Sequence, residues 1–215
     1  MGDVPNRIQG HLLCELPSCI LVNGPSSAGK TSLVRALQDS LPILTLGFGV
    51  DAVLYSLPPA DLTAMKGGNK IERVGYSYDL LVDAHHAAIR GLLEAGCRVF
   101  VDTGLLRARH RASFDAAVNG FRTFRIGVTC ALDELDRRER ERGDRAAGSA
   151  RREADIVHQG MSYDLLVDTT DTSLEIELKQ VFHALNLWCA ERARDSDSCE
   201  TGLFAGQDHN GSSGA

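Results

Sequence analysis

Residues 24–31, Gly24-Pro25-Ser26-Ser27-Ala28-Gly29-Lys30-Thr31, meet the pattern G-x-x-x-x-G-K-[ST] at every fixed position. A loop of this kind must turn sharply. Glycine therefore opens it and glycine precedes the lysine, where backbone N–H groups converge on an anion. Lys30 is then placed to reach the β- and γ-phosphates of a nucleotide, and the Thr31 hydroxyl to ligate Mg²⁺. The flanks suit the loop. Cys19-Ile20-Leu21-Val22-Asn23 is an apolar run of strand length, and Ser32 to Ser40 reads as the helix that leaves the loop. The positive end of that helix adds to the phosphate cradle, so Ser32 joins residues 24–31 as an expected ATP contact. Chance matches to four fixed positions occur in Gly/Ser turns, but rarely between a strand and an amphipathic helix. A dinucleotide fold is a weaker reading. Asp51 stands about twenty residues on, as a ribose-binding acid would, but Gly24-Pro25-Ser26 breaks G-x-G.

Beyond the loop, strand-like and helix-like segments alternate. A second strand is expected over 43–50, interrupted by Gly47 and Gly49, and residues 57–75 read as a loop with a short helix. A helix over 76–94 has Leu80, Leu81, Ala84, Ala88 and Leu92 at helical spacing, with Gly96 as its stop. Strands are expected over 97–101, 124–129 and 163–167, a very polar helix over 132–142, and a closing helix over 174–193. This order predicts an α/β fold of the P-loop NTPase kind: a parallel five-stranded sheet flanked by helices on both faces, with an arginine-bearing lid. Residues 1–17 read as an irregular N-terminal extension, 18–194 as the folded domain, and 195–215, rich in Gly, Ser and Asp, as a disordered tail.

In an open α/β sheet, ligands bind outside the carboxyl ends of the strands. Asp51 and Asp102 both fall at expected strand ends, as does the loop, so the three should share one crevice. Phosphoryl transfer to an alcohol needs a group that accepts the hydroxyl proton and a metal that neutralises developing charge. Asp51 is the candidate base. Asp102 is a candidate metal ligand with Thr31, because Arg98-Val99-Phe100-Val101-Asp102 is an apolar strand closed by an acid. The competing reading for both is a turn residue or helix cap.

The segment 136–153 mixes arginines with acids. Most of it reads as a solvated helix with i,i+4 ion pairs. Arg138 and Arg142 share one helix face, however, and Arg145 follows a break at Gly143. Such a segment can close over a triphosphate and offset charge on the transferring phosphoryl group.

Composition narrows the partners. A net charge of −6 over 215 residues leaves no basic excess for general nucleic-acid binding. No apolar run approaches membrane-spanning length, and no signal peptide is evident, so a cytoplasmic protein is expected. The six cysteines show no metal-like spacing, and Cys19, Cys97 and Cys130 read as core thiols. His85 and His86 are adjacent and so point to different helix faces, a poor metal geometry; surface or core-edge positions are expected for them. Asn69-Lys70-Ile71-Glu72 is close to a guanine-reading motif, but it has Glu where Asp is needed and lies in a Gly-rich loop.

Four stretches together resemble the chloramphenicol phosphotransferase family. They are Leu21-Val22-Asn23-Gly24 through Ser26-Ser27-Ala28-Gly29-Lys30; Phe48-Gly49-Val50-Asp51; Arg142-Gly143-Asp144-Arg145 with Ala147-Gly148; and Val157-His158 through Gly160, then Tyr163-Asp164 and Val167-Asp168-Thr169-Thr170. The resemblance covers the chain from about residue 20 to residue 190, in the family's order. It implies an ATP-dependent kinase that phosphorylates the primary (3-)hydroxyl of chloramphenicol and so inactivates the antibiotic, with Mg²⁺ as the cofactor expected from the loop. It also implies Asp51 as general base, and Arg142 and Arg145, with Arg138 beside them, as the lid. The segment 55–78 departs from the family in length and composition, so the resemblance fixes the phosphate machinery more firmly than the acceptor. Two alternatives stay open: a kinase for a different small hydroxyl metabolite, and a nucleotide-switched regulatory or binding protein.

Overall fold

Five parallel strands form one sheet in the order β2-β3-β1-β4-β5. The computed structural model describes residues 8, 10–142 and 148–204, and places β1 at Cys19–Asn23, β2 at Leu46–Gly47, β3 at Val99–Thr103, β4 at Thr123–Thr129 and β5 at Leu165–Asp168. All five residues of β1 are buried, as expected for a central parallel strand covered on both faces. Side chains alternate across it. Ile20 and Val22, with Phe100 of β3, pack under α1 (Lys30–Ser40) and α8 (Leu174–Phe204). Cys19 and Leu21, with Val99 and Val101, pack under α4 (Tyr78–Glu94) and α5 (Ala108–Val118). The expected parallel sheet with helices on both faces is therefore present.

The helices decide where ligands can enter. The connection leaving β1 runs over one face through α1, while that leaving the neighbouring β3 runs over the other through α5. Adjacent strands whose connections part in this way open a crevice at their carboxyl ends. That crevice lies between residues 23–24 and 103–104.

Several boundaries differ from the sequence reading. The second strand is only Leu46–Gly47, because the chain leaves the sheet after Phe48 and turns into α2 (Asp51–Leu54). Asp51 is thus the first residue of a short helix and not a strand terminus. The third strand runs to Thr103, which puts Asp102 inside it, opposite Val22. The closing helix runs past Ala193 to Phe204, into the segment expected to be disordered. Helix α5 went unread because its apolar positions are diluted by Arg107, Arg109 and Arg111. Its buried face is His110, Phe114, Ala117 and Val118, at helical spacing. The short helix expected within 57–75 is α3 (Pro59–Lys66), with proline at its start, where its missing N–H costs nothing. Residues 10–15, expected to be irregular, form a 3₁₀ turn that packs on α8. The polar helix α6 (Leu132–Arg142) matches its expected bounds. A further short helix, α7 (Ser149–Ala154), follows it. Among the described residues, no helix is long and apolar enough to cross a membrane.

Cys19 behaves as the small hydrophobe expected: burial pushes its thiol up to about 12. The two histidines do not follow expectation. His85 and His86 are both buried, at 0% and 1% exposure, because α4 is wedged between the segment after β2 and helix α5. Burial lowers both rings, His86 to about 4 with His85 beside it adding to the effect. The unfolded chain therefore takes up protons that the native state refuses. Stability from this pair is complete above an ordinary histidine value and is lost as pH falls below about 6.5, for His86 down toward about 4, at about 1.4 kcal/mol per pH unit for each ring that resists protonation. Urea denaturation should show a lower midpoint at about pH 5 than at about pH 7, and His86→Leu should shrink the difference. An unchanged midpoint would mean that both rings titrate normally.

Candidate active site

The phosphate-type loop begins where β1 ends. Gly24 lies against the backbone of β4, and a Cβ there would overlap the Val128 carbonyl oxygen, so the turn can be this tight only with glycine. Ser27 sits at φ 62°, a conformation costly for a residue with a side chain and most often kept where the loop has work to do. Gly29, at φ 84°, leads into α1 without any side-chain cap. The first N–H groups of α1 are therefore left for an anion. The loop and helix start open onto a cavity of about 900 Å³, lined by Ser26, Ser27, Gly29, Lys30, Thr31 and Ser32. Gly24, Pro25 and Ala28 shape the loop from behind. The Pro25 carbonyl accepts from Lys30 Nζ at 2.8 Å, and Ala28 is fully buried.

Both candidate carboxylates line the same cavity. Thr31 donates its hydroxyl to Asp102 Oδ2 at 2.5 Å, so a hydroxyl and a carboxylate meet beside the loop. Asp51 approaches from the first turn of α2. Past it, Tyr55, Met65, Lys66 and Tyr78 continue the wall, with the Lys66 ammonium 4.5 Å from the centre of the Tyr55 ring. This is the segment whose role could not be read from sequence.

Arg138 and Arg142 of α6 also face the cavity. Arg138 is firmly held. Its Nη2 donates to the Thr169 carbonyl at 2.6 Å, its Nη1 to the Thr169 hydroxyl at 3.2 Å, and its Nε to Glu134 at 2.7 Å. Arg137 and Arg138 together hold the Glu134 carboxyl down to about 2. The guanidinium is thereby fixed next to Gly29, where an added Cβ would lie 3.8 Å from Nη1. Arg145 and the rest of 143–147 lie outside the described residues.

Three residues at the site had no role assigned from sequence, although Asn23 and Thr169 stand in the stretches that carry the family resemblance. Glu153 of α7 accepts the Ser26 backbone N–H at 2.6 Å, one of the loop donors that faces the cavity. It had been read as part of a solvated charge run. Thr169 ties Arg138 to the loop, since its hydroxyl also donates to the Ala28 carbonyl at 3.0 Å. Asn23 is fully buried at the end of β1 and staples the crevice. It donates to the Val157 carbonyl at 3.0 Å and to the Tyr163 hydroxyl at 2.6 Å, and accepts the Leu105 N–H at 2.8 Å. The available signal was a polar residue closing an otherwise apolar strand.

Comparison with known proteins bears on the fold and the family. Residues 17–184 match the family described as chloramphenicol phosphotransferase-like protein. A Mycobacterium tuberculosis protein (strain H37Rv) named "Putative O-phosphotransferase Rv2636" is 32% identical over 180 residues, covering 76% of this chain and 80% of its own. A guanylate kinase from Chromohalobacter salexigens is 30% identical over 185 residues, covering 76% of this chain and 82% of its own. Among solved structures, a gluconokinase from Sinorhizobium meliloti 1021 superposes with a TM-score of 0.63 at 19% identity, covering 84% of this chain and 98% of that one. The last of these speaks to the fold alone. Taken with the loop, the sheet order and the cavity, the family match makes this chain a P-loop kinase, and it belongs to the chloramphenicol phosphotransferase-like family.

Proposed function

We propose that the chain transfers the γ-phosphoryl group of ATP to the hydroxyl of a small molecule, with chloramphenicol the first acceptor to try. The observation that carries this reading is the single cavity in which Asp51 faces the same space as Lys30, Thr31, Asp102, Arg138 and Arg142. The reaction needs little covalent help from the protein, so positioning and charge stabilisation carry it. Asp51 takes the hydroxyl proton as the acceptor oxygen bonds to the γ-phosphorus and the bond to the bridging oxygen of ADP breaks. Lys30 and the α1 N-terminus hold the phosphates, and Arg138 and Arg142 offset charge on the group in flight.

A divalent cation fits the donors present. The Thr31 hydroxyl and Asp102 carboxylate are hard oxygen ligands side by side, the set Mg²⁺ prefers. When bound, the ion would neutralise phosphate charge. Asp102→Asn should raise the Mg²⁺ concentration for half-maximal activity by about 10-fold or more, with Thr31→Ser nearly unaffected. An unchanged Mg²⁺ dependence would remove Asp102 from the metal side.

The acceptor end, with Tyr55, Met65 and Tyr78, supports a hydroxyl compound with an apolar body. The guanylate kinase relative raises a phosphate acceptor as the competing case. A phosphate oxygen arrives already ionised and needs no base, and Asp51 would repel it. ADP release over a panel containing chloramphenicol, sugar acids, other small alcohols and GMP separates the cases. Stimulation by a hydroxyl compound supports the proposal. Stimulation by GMP alone, or slow hydrolysis that no acceptor stimulates, contradicts it.

A further inference from the structure

His85 has no place in the phosphate chemistry, yet it reaches the segment that carries Asp51. It is fully buried on α4, and its Nε2 lies 3.0 Å from the Phe48 carbonyl oxygen. A carbonyl only accepts, so this nitrogen carries the proton. The imidazole also stacks on the Phe48 ring, with centroids 5.2 Å apart and planes 17° from parallel.

Phe48 is fixed from the other side as well. Its N–H donates to the Phe100 carbonyl of β3 at 2.8 Å, the last sheet-type bond before the chain leaves the edge. One residue on, Gly49 runs flush against β3. A Cβ there would come within 2.9 Å of the Asp102 carbonyl oxygen, so the turn leading to Asp51 is held against β3 at Asp102 by backbone contact. Hydrogen bonds from Ala52 N to Gly49 O at 3.0 Å and from Leu54 N to Val50 O at 3.1 Å then start α2. A four-residue helix has no stability of its own, so its place is set by what anchors its entry.

We propose that His85 is the positioning residue for Asp51, its Nε2–H and ring stack clamping Phe48 so that the turn into α2 delivers the carboxylate to the phosphate loop. This rests on the reading of Asp51 as the base. The neighbouring His86 supplies a matched control. It is equally buried on the same helix but turns to α5, where its Nδ1 lies 3.0 Å from the Ser113 hydroxyl and its ring meets Phe114 edge-on.

The test compares His85→Leu, His85→Gln, His86→Leu and Asp51→Asn below the melting point of every variant. ADP release from MgATP is measured in buffer and with chloramphenicol, alongside amide deuterium uptake of peptides spanning 46–56. His85→Leu should lower kcat about 10- to 100-fold with KM for ATP unchanged, because a small misplacement of a catalytic group carries such a cost. Deuterium uptake over 48–55 should rise. His85→Gln keeps an N–H able to reach the Phe48 carbonyl and should recover most of both. His86→Leu should lose stability without either change. If Asp51→Asn is inactive but His85→Leu matches His86→Leu in kcat and uptake, the positioning role is overturned alone. If Asp51→Asn keeps full turnover, the base reading falls, and His85 loses its catalytic meaning with it.

Discussion

Asp51→Asn will lower kcat by about 10²–10⁴ while leaving the affinity for ATP close to that of the unaltered protein, since it removes proton acceptance and no phosphate contact. The amide is nearly isosteric with the carboxylate and keeps a polar group at the start of α2. Folding should therefore survive, and the change should appear in the chemical step. Asp51 lines the cavity at the first turn of a short helix, with its entry fixed by Phe48 and Gly49. Burst kinetics and a nucleotide titration, run together, separate the two effects. A variant that turns over at the normal rate would leave the hydroxyl proton to some other acceptor.

Lys30→Ala will cost about 10²–10³ in kcat/KM with any acceptor, because it withdraws a cation aimed at charge that builds during transfer. Lys30→Arg should rescue little. The ammonium is a compact point charge fitted to the loop, where Nζ donates to the Pro25 carbonyl at 2.8 Å, and a planar guanidinium does not reproduce that geometry. The loss should be the same for chloramphenicol and for every other active member of the panel. Acceptor-dependent loss would place Lys30 on the acceptor side instead.

These two residues were legible in the sequence for different reasons. Lys30 is specified by a local pattern of backbone turns, so four fixed positions and their flanks were enough. Asp51 was singled out through its place at the expected end of the second strand and the Phe-Gly-Val-Asp resemblance, but its setting was misread, because Gly47 and Gly49 end the edge strand early and let a helix begin. Asp102 was expected to close its strand and instead lies one residue inside the carboxyl end, where it accepts from the Thr31 hydroxyl. The parallel sheet was readable because each buried strand is a short apolar run. Helix α5 was not, because its burial comes from tertiary contact with α4 and not from a clean apolar stripe. Glu153 and His85 were out of reach for a deeper reason. Glu153 acts on Ser26 across 127 residues and His85 on Phe48 across 37, and nothing local to either marks the partner. His85 and His86 looked alike in sequence, yet their partners lie on different sides of α4.

The acceptor end of the cavity follows the same division. Residues that hold phosphate are constrained by a shared chemistry and so leave a pattern. Tyr55, Met65, Lys66 and Tyr78 line the same cavity, and their spacing carries no general signature.

The most direct test is to identify the product. Wild-type protein is incubated with γ-labelled ATP, Mg²⁺ and the acceptor panel, and the label is located by phosphorus NMR and mass spectrometry. The expected result is a phosphate ester on one hydroxyl, formed in equal amount with ADP and lost in Asp51→Asn. Release of the label only as inorganic phosphate, at one rate with every acceptor and with none, would contradict phosphoryl transfer to an alcohol and favour a nucleotide-switched protein.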